Sequence, residues 1–289
     1  MHVFLTGASG WVGSAVAEDL LAAGHHVTGL VRNVEKAQAL VALGMQVVTG
    51  TLDDHQLLQN GAGRADAVIH TAFNHDFSRF SENCAQDERA IQILGDALRG
   101  SDRPLLVTSG LAMIAPGRLA TENDLPFVAP SYPRRSEPAA RALAEKGVRT
   151  ATVRLSPTVH GVGDHGFIPI LMGLAKQTGV SAWPADVENR WAAVHRRDAA
   201  RLYRLALETG VTQAVYHAAA EEGILFRDIA QAIGNHLGIP AEPRARDHFG
   251  WFADFASLDM AASSEQTRTV LGWNPTHPTL FADLAQAEY

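Results

Sequence analysis

The chain has 289 residues, 46% hydrophobic and 19% charged, with 24 Lys and Arg against 31 Asp and Glu, a formal net charge of −7. An apolar share of that size fills a core and excludes wholesale disorder, and the length suits one large domain or one with a smaller lobe attached. The acidic balance excludes a general nucleic-acid or anionic-membrane binder, since both need clustered cations, but it leaves room for a local phosphate pocket.

Val3–Leu5 reads as a buried strand and Gly13–Ala23 as a helix, with Val16, Leu20 and Leu21 at helical spacing and Gly24 as its stop. Val27–Val31 is a second strand, Val34–Leu43 a second helix, Val47–Val48 a third strand and Ala67–His70 a fourth. A long helix follows over Ala85–Leu98, then strand Leu105–Thr108, helix Glu137–Glu145 and strand Thr150–Leu155. Strands that are continuously apolar and alternate with helices predict a parallel sheet covered on both faces, an α/β doubly wound fold. Ser156–Phe167 reads as a loop, followed by helices over Ile168–Gln177 and Asp198–Glu208, a seventh strand near 213–218 and a helix over Phe226–Leu237. The expected division is a dinucleotide-binding Rossmann part over 1–155 and a mixed, substrate-binding lobe over 156–289, closing a cleft at the carboxyl ends of the strands.

The strongest signal is Thr6-Gly7-Ala8-Ser9-Gly10-Trp11-Val12-Gly13, set between the first strand and the first helix. Gly7 allows a tight turn, Gly10 lets backbone approach a pyrophosphate, and Gly13 lets helix and strand pack closely; the helix start then presents its N–H groups to phosphate. A glycine-rich turn without a ligand is the plainer reading of a lone match, and the position at the head of a βαβ chain favours the dinucleotide. The second strand ends in Val31-Arg32-Asn33, without the acid that accepts from an NAD ribose. Arg32 can pair with a 2′-phosphate, so the expected cofactor is NADP(H); the alternative is a solvated loop charge.

These residues resemble the extended short-chain dehydrogenase/reductases, also called the NAD-dependent epimerase/dehydratase family. The resemblance rests on Thr6–Gly13, Gly50-Thr51-Leu52-Asp53-Asp54, His70-Thr71-Ala72-Phe73, Thr108-Ser109-Gly110, Arg154-Leu155-Ser156-Pro157-Thr158-Val159-His160-Gly161 and Val194-His195-Arg196-Arg197-Asp198, in that order over most of the chain. It implies that Gly7, Ser9, Gly10, Trp11, Val12 and Gly13 hold the cofactor with Arg32. It further implies that Leu52 and Asp53 line the adenine site, and that Ala72 and Phe73 lie along the cofactor between ribose and nicotinamide. Pro157 and Val159 would meet the carboxamide, and Ser109 would lie near the reactive ring. Leu52 and Val159 as core residues, and Ser109 as a strand-end cap, are the alternatives.

The family's catalytic Tyr-x-x-x-Lys is missing. Its matching stretch is Tyr132-Pro133-Arg134-Arg135-Ser136-Glu137, with Pro133 at the tyrosine position, Glu137 at the lysine position and Tyr132 one place out of register. The chain is therefore identified as an atypical member. Ser109, Tyr132 and His160, with His165 behind them, are the candidates for the proton or hydrogen bond a substrate needs. Glu137 reads as a charge favoured at a helix start rather than as a base.

Trp183, Trp191, Phe249, Trp251 and Phe252 supply either an apolar substrate pocket or the core of the second lobe, and Arg190 either an anion contact or a surface charge. Cys84 is the single cysteine, so no disulfide and no multi-cysteine metal site is expected, and a reducing compartment is. His25 and His26 are adjacent, point to opposite faces of a strand and cannot chelate together; no metal is expected. Met1–Leu5 runs straight into the glycine turn without a basic n-region, and no apolar stretch approaches the ~20 residues of a membrane helix, so the location expected is cytoplasmic. The partners expected are a small-molecule substrate and, because family members pair through helices matching Ala85–Leu98 and Glu137–Glu145, a second copy of the chain in a homodimer.

These expectations favour an NADP(H)-dependent oxidoreductase that reduces a ketone, aldehyde or imine. Two alternatives stay open: a catalytically silent NADP(H)-binding sensor, and a nucleotide-sugar epimerase or dehydratase.

Overall fold

The computed structural model describes residues 1–129 and 132–286. In chain order the strands are β1 His2–Thr6, β2 His26–Val31, β3 Gln46–Thr49, β4 Ala67–His70, β5 Leu105–Gly110, β6 Thr150–Leu155, β7 Thr158–His160, β8 Ser181–Pro184, β9 Arg190–His195, β10 Val215–Ala218, β11 Glu221–Leu225 and β12 Ala241–Arg244. The helices are α1 Trp11–Ala22, α2 Gln38–Ala42, α3 His55–Arg64, α4 Phe80–Asp96, α5 Ser136–Glu145, α6 Phe167–Thr178, α7 Arg196–Glu208, α8 Phe226–Leu237, α9 Ala253–Ala256, α10 Glu265–Leu271 and α11 Leu280–Gln286. Seven strands form a central parallel sheet in the order β10-β6-β5-β4-β1-β2-β3. The chain leaves β1 toward β2 and β3, then returns to β4 on the other side. The strand order therefore reverses between β1 and β4, where a doubly wound sheet opens its crevice.

The chain divides into two compact units. The first comprises Met1–Ser109, Pro126–Arg154 and Ala200–Tyr216; the second comprises Gly110–Leu125, Leu155–Ala199 and His217–Tyr289. In the first unit, β-branched and leucine side chains of the strands meet α3, α4 and α5 in one cluster that includes Phe4, Leu30, Leu58, Val68, Ile91, Leu94, Val107 and Leu143. Each such side chain contributes about 1.5–3 kcal/mol on burial. Two glycines make the packing fit: a Cβ on Gly61 would stand 2.4 Å from the Phe4 ring, and one on Gly95 would stand 2.3 Å from a Leu143 methyl. The second unit carries a three-stranded sheet in the order β11-β9-β7 and the parallel pair β12-β8. Its core is aromatic, with Trp191, Phe226, Phe249 and Phe252 buried and Phe167 and Phe255 packed against them.

Several sequence expectations need correction. The helix expected over Val34–Leu43 is a 3₁₀ turn at Glu35–Ala37 followed by the short α2. Helix α4 starts five residues before the expected Ala85, in a run where Phe73, Phe77 and Phe80 pack edge to face or tilted. The stretch read as a loop over Ser156–Phe167 contains β7, which pairs parallel with β9; the Thr158 hydroxyl donates to the Ala192 carbonyl at 2.8 Å and buries a segment that looks polar in sequence. Ser109 and Gly110 belong to β5 itself rather than following it. Helix α3 was not expected, because only Leu58 and Ala62 of its ten residues are buried.

Candidate active site

The glycine turn is shaped by contact. Gly7 holds φ at +71°, and a Cβ there would stand 2.7 Å from the Ala72 amide nitrogen. A Cβ on Gly13 would stand 2.1 Å from the Gly7 carbonyl oxygen, and one on Gly10 3.1 Å from the same atom. The turn closes on itself as the Gly10 amide donates to the Gly7 carbonyl at 2.8 Å. Gly10 is the N-cap of α1, with no side-chain cap and no acid in the first helical turn. The positive end of the dipole is therefore not countered from within the helix, which favours an anion by about 0.3–1 kcal/mol. Gly10 is exposed, and Ser9, Trp11 and Val12 are half-buried beside it. This is a backbone cradle that a side chain would fill, and it fits a pyrophosphate.

Arg32 follows β2 directly, is exposed, and makes no ion pair or hydrogen bond among the described residues. Leu52 is packed into the core cluster with Leu30 and Leu58, the alternative left open for it. Asp53 is exposed and its Oδ2 accepts from Gln86 Nε2 at 2.6 Å, which ties the turn after β3 to α4. Ala72 and Phe73 lie two and three residues past the end of β4, with Ala72 beside Gly7. In the second unit, half-buried Pro157 lies between β6 and β7, and Val159 pairs with Val194 inside β7.

Beneath the ends of β1 and β4 runs a buried polar chain. Thr6 Oγ1 lies 2.7 Å from His70 Nδ1, His70 Nε2 lies 3.0 Å from Asp87 Oδ1, and the Ser136 hydroxyl donates to Asp87 Oδ2 at 2.5 Å. Burial works against the charge on Asp87, but the His70 hydrogen bond, the charges of His70 and Arg134, and the Ser136 hydroxyl outweigh it and hold the carboxyl below its ordinary range. An ionised Asp87 can only accept, so the His70 Nε2 carries the hydrogen that it binds. Arg134 stands at the head of this chain. Its Nε donates to Ser136 Oγ at 3.0 Å, and its guanidinium carbon lies 4.2 Å from the centre of the Phe73 ring. Sequence reasoning missed this group. A signal was present: Asp87 falls on the apolar stripe of Cys84, Ala90, Ile91 and Leu94, where a carboxylate requires partners.

Glu137 and Arg154 are both buried and bound two-pronged, with Nε to Oε2 at 2.8 Å and Nη2 to Oε1 at 2.7 Å. Glu137 does lie in the first turn of α5, but it is a buried ion-pair partner as well as a helix-start charge. Tyr132 is half-buried and packs on Phe127, and burial pushes its hydroxyl above the ordinary tyrosine range despite the Arg134 charge. Ser109 is half-buried on β5, and its hydroxyl has no hydrogen-bond partner among the described residues.

His160 lies in the second unit. It is 1% exposed, with Nδ1 bound to Asp283 Oδ2 at 2.5 Å. Its imidazole is built into a network with His195, Glu221 and Asp283 rather than presented to solvent. His165 lies on the loop before α6, outside the strands. Arg190 is engaged two-pronged by Asp259, at 3.1 and 2.7 Å. Trp191, Phe249 and Phe252 are core, Trp183 is half-buried, and Trp251 is exposed. Cys84 is a buried free thiol, pushed up to about 11 by burial. Among the described residues no group of three or more His, Cys, Asp or Glu could hold a metal ion, and no helix is long and apolar enough to cross a membrane.

The chain matches the family model described as NAD(P)H-binding over residues 7–158. An uncharacterised protein of Schizosaccharomyces pombe is 47% identical, with all of both chains covered. A 4-hydroxy-2-methyl-3-oxo-4-farnesyl-3,4-dihydroquinoline-1-oxide ketoreductase of Stigmatella aurantiaca is 28% identical over 84% of this chain and 75% of its own. Among solved structures, the dTDP-glucose 4,6-dehydratase DesIV of Streptomyces venezuelae superimposes with a TM-score of 0.79 at 20% identity, over 99% of this chain and 95% of its own. The strand order and the glycine cradle agree with the family match: the chain belongs to the NAD(P)H-binding family.

Proposed function

We propose that the protein is an NADP(H)-dependent reductase of a ketone, aldehyde or imine, working without the family's Tyr/Lys pair. The dinucleotide is assigned to the first 155 residues and substrate selection to residues 156–289. The observation that carries the cofactor choice is Arg32: a guanidinium at the tip of β2, without a partner among the described residues, where an NAD enzyme presents a carboxylate. Gly7, Gly10 and Gly13 would hold the pyrophosphate, and Arg32 the 2′-phosphate. Bound there, a reduced nicotinamide supplies a hydride.

The chain's own part is to orient the substrate and serve its oxygen or nitrogen. Ser109 Oγ and the Tyr132 hydroxyl are the donors assigned to that atom. Burial makes Tyr132 a weaker acid, which suits it to hydrogen bonding more than to giving up its proton. His160 is left out of the chemistry, because Asp283 occupies its Nδ1 and burial closes off the ring. The relative named for ketone reduction supports the reaction class.

The test is NADPH oxidation against a panel of ketones, aldehydes and imines. Turnover lost in Ser109→Ala, with NADPH affinity retained, supports the assignment. Tight NADPH binding with no turnover on any substrate favours the second reading, an NADP(H)-responsive sensor. That reading has its own observation: Glu137, at the lysine position, is locked to Arg154.

A further inference from the structure

Arg134, like Arg32, makes no ion pair among the described residues. Its Nε is used by Ser136, its Nη2 points at the Thr108 carbonyl oxygen 3.5 Å away, and its flat face covers Phe73. Nη1 has no hydrogen-bond partner, and the guanidinium forms no ion pair, among the described residues. Asp87, the carboxylate whose charge it feels, is already taken by His70 and Ser136. The Arg134 charge also reaches Cys84, Tyr132 and Tyr203, so it is the positive pole of this part of the first unit. The side chain is held from three directions, which limits the rotamer entropy that a binding event would otherwise remove.

Its place along the sheet says what it meets. Arg32 lies beyond β2, on one side of β1. Arg134 lies over Phe73, three residues past the end of β4, and points at β5, on the other side. A dinucleotide whose pyrophosphate sits at the β1 turn lays its adenosine toward β2 and its second nucleoside toward β4 and β5. Phe73 is also coupled to the cradle itself, since Ala72 abuts Gly7.

We propose that Arg134 binds the nicotinamide ribose, the Nη1 edge left without a partner among the described residues donating to the ribose hydroxyls. This inference rests on the NADP(H) reading above. The polar chain of Thr6, His70, Asp87 and Ser136 is then the support that fixes the guanidinium on Phe73.

The test compares two ligands on the intact chain by calorimetry: NADPH, and adenosine 2′,5′-bisphosphate, which carries the 2′-phosphate but lacks the nicotinamide riboside. Arg134→Gln is expected to weaken NADPH about tenfold or more while leaving the bisphosphate within twofold, and Arg134→Lys to restore part of the loss. Unchanged bisphosphate affinity also reports an intact fold. Equal weakening of both ligands, or no weakening of NADPH, overturns the proposal. A wild-type chain that binds neither ligand contradicts the NADP(H) reading instead, so the two failures are distinguishable.

Discussion

Glu137 and Arg154 face each other across the start of α5 and the body of β6, joined by two hydrogen bonds in a setting almost closed to water. A buried pair stripped of one partner costs about 3–5 kcal/mol. Glu137→Lys is therefore expected to lower stability by about that much and to leave turnover no higher than in the native chain. Replacing both partners, as Glu137→Leu with Arg154→Met, should stay within about 2 kcal/mol of the native chain. Chemical denaturation midpoints check both. A Glu137→Lys variant as stable as the native chain would show that the pair is dispensable.

The glycines of the turn make separable predictions. Gly13→Ala places a Cβ 2.1 Å from the Gly7 carbonyl, a clash that only backbone movement relieves. It is expected to cost about 1–3 kcal/mol in stability and at least tenfold in NADPH affinity. Gly24, at the far end of α1, also has positive φ but open space around it. Gly24→Ala should cost about 1 kcal/mol through backbone strain alone and leave NADPH affinity unchanged. Thermal melts paired with titrations separate the two effects.

Much of the first unit is legible in the sequence because β1 and β4 are buried along almost their whole length and the glycine turn stands between β1 and α1. The second unit is much less so. β7 and β9 carry Thr158, His160, Arg190 and His195, polar side chains satisfied by distant partners such as the Ala192 carbonyl, Asp259 and Asp283. Single-chain patterning cannot see those partners. The cofactor cradle could be read from spacing. The Arg134 group could not, because it joins β1, β4, α4 and the start of α5 from positions 6, 70, 87, 134 and 136.

His195 predicts a pH dependence that is independent of catalysis. Burial, with help from the charges of His160 and His277, lowers its pKa from 6.5 to about 4 against the pull of Asp283 and Asp198. A lowered histidine contributes stability that is fully present above about pH 6.5. As pH falls from there toward 4, the unfolded chain takes up a proton that the folded chain refuses, so stability drops, by up to about 3 kcal/mol. Urea denaturation at pH 7.5, 6 and 4.5 should show the decline. His195→Asn should flatten it, and an unchanged slope in that variant would assign the dependence elsewhere.

Ser109 and His160 are expected to fail in different ways. Ser109→Ala removes a hydroxyl that has no partner among the described residues and should lower turnover about tenfold or more while leaving stability within about 0.5 kcal/mol. His160→Ala removes the 2.5 Å partner of Asp283 on α11, leaves His195 3.9 Å from that carboxylate, and should cost about 2–4 kcal/mol in stability. Steady-state kinetics at a temperature where both variants are folded tell them apart.

The most direct test is calorimetry of the purified chain with NADPH and NADH, repeated on Arg32→Ala. The account predicts that NADPH binds the native chain more tightly than NADH. The substitution should weaken NADPH by about 1.5–3 kcal/mol, the worth of a charge-assisted pair, and barely touch NADH. Equal affinity for both nucleotides in the native chain, or equal loss of both in the variant, would contradict it.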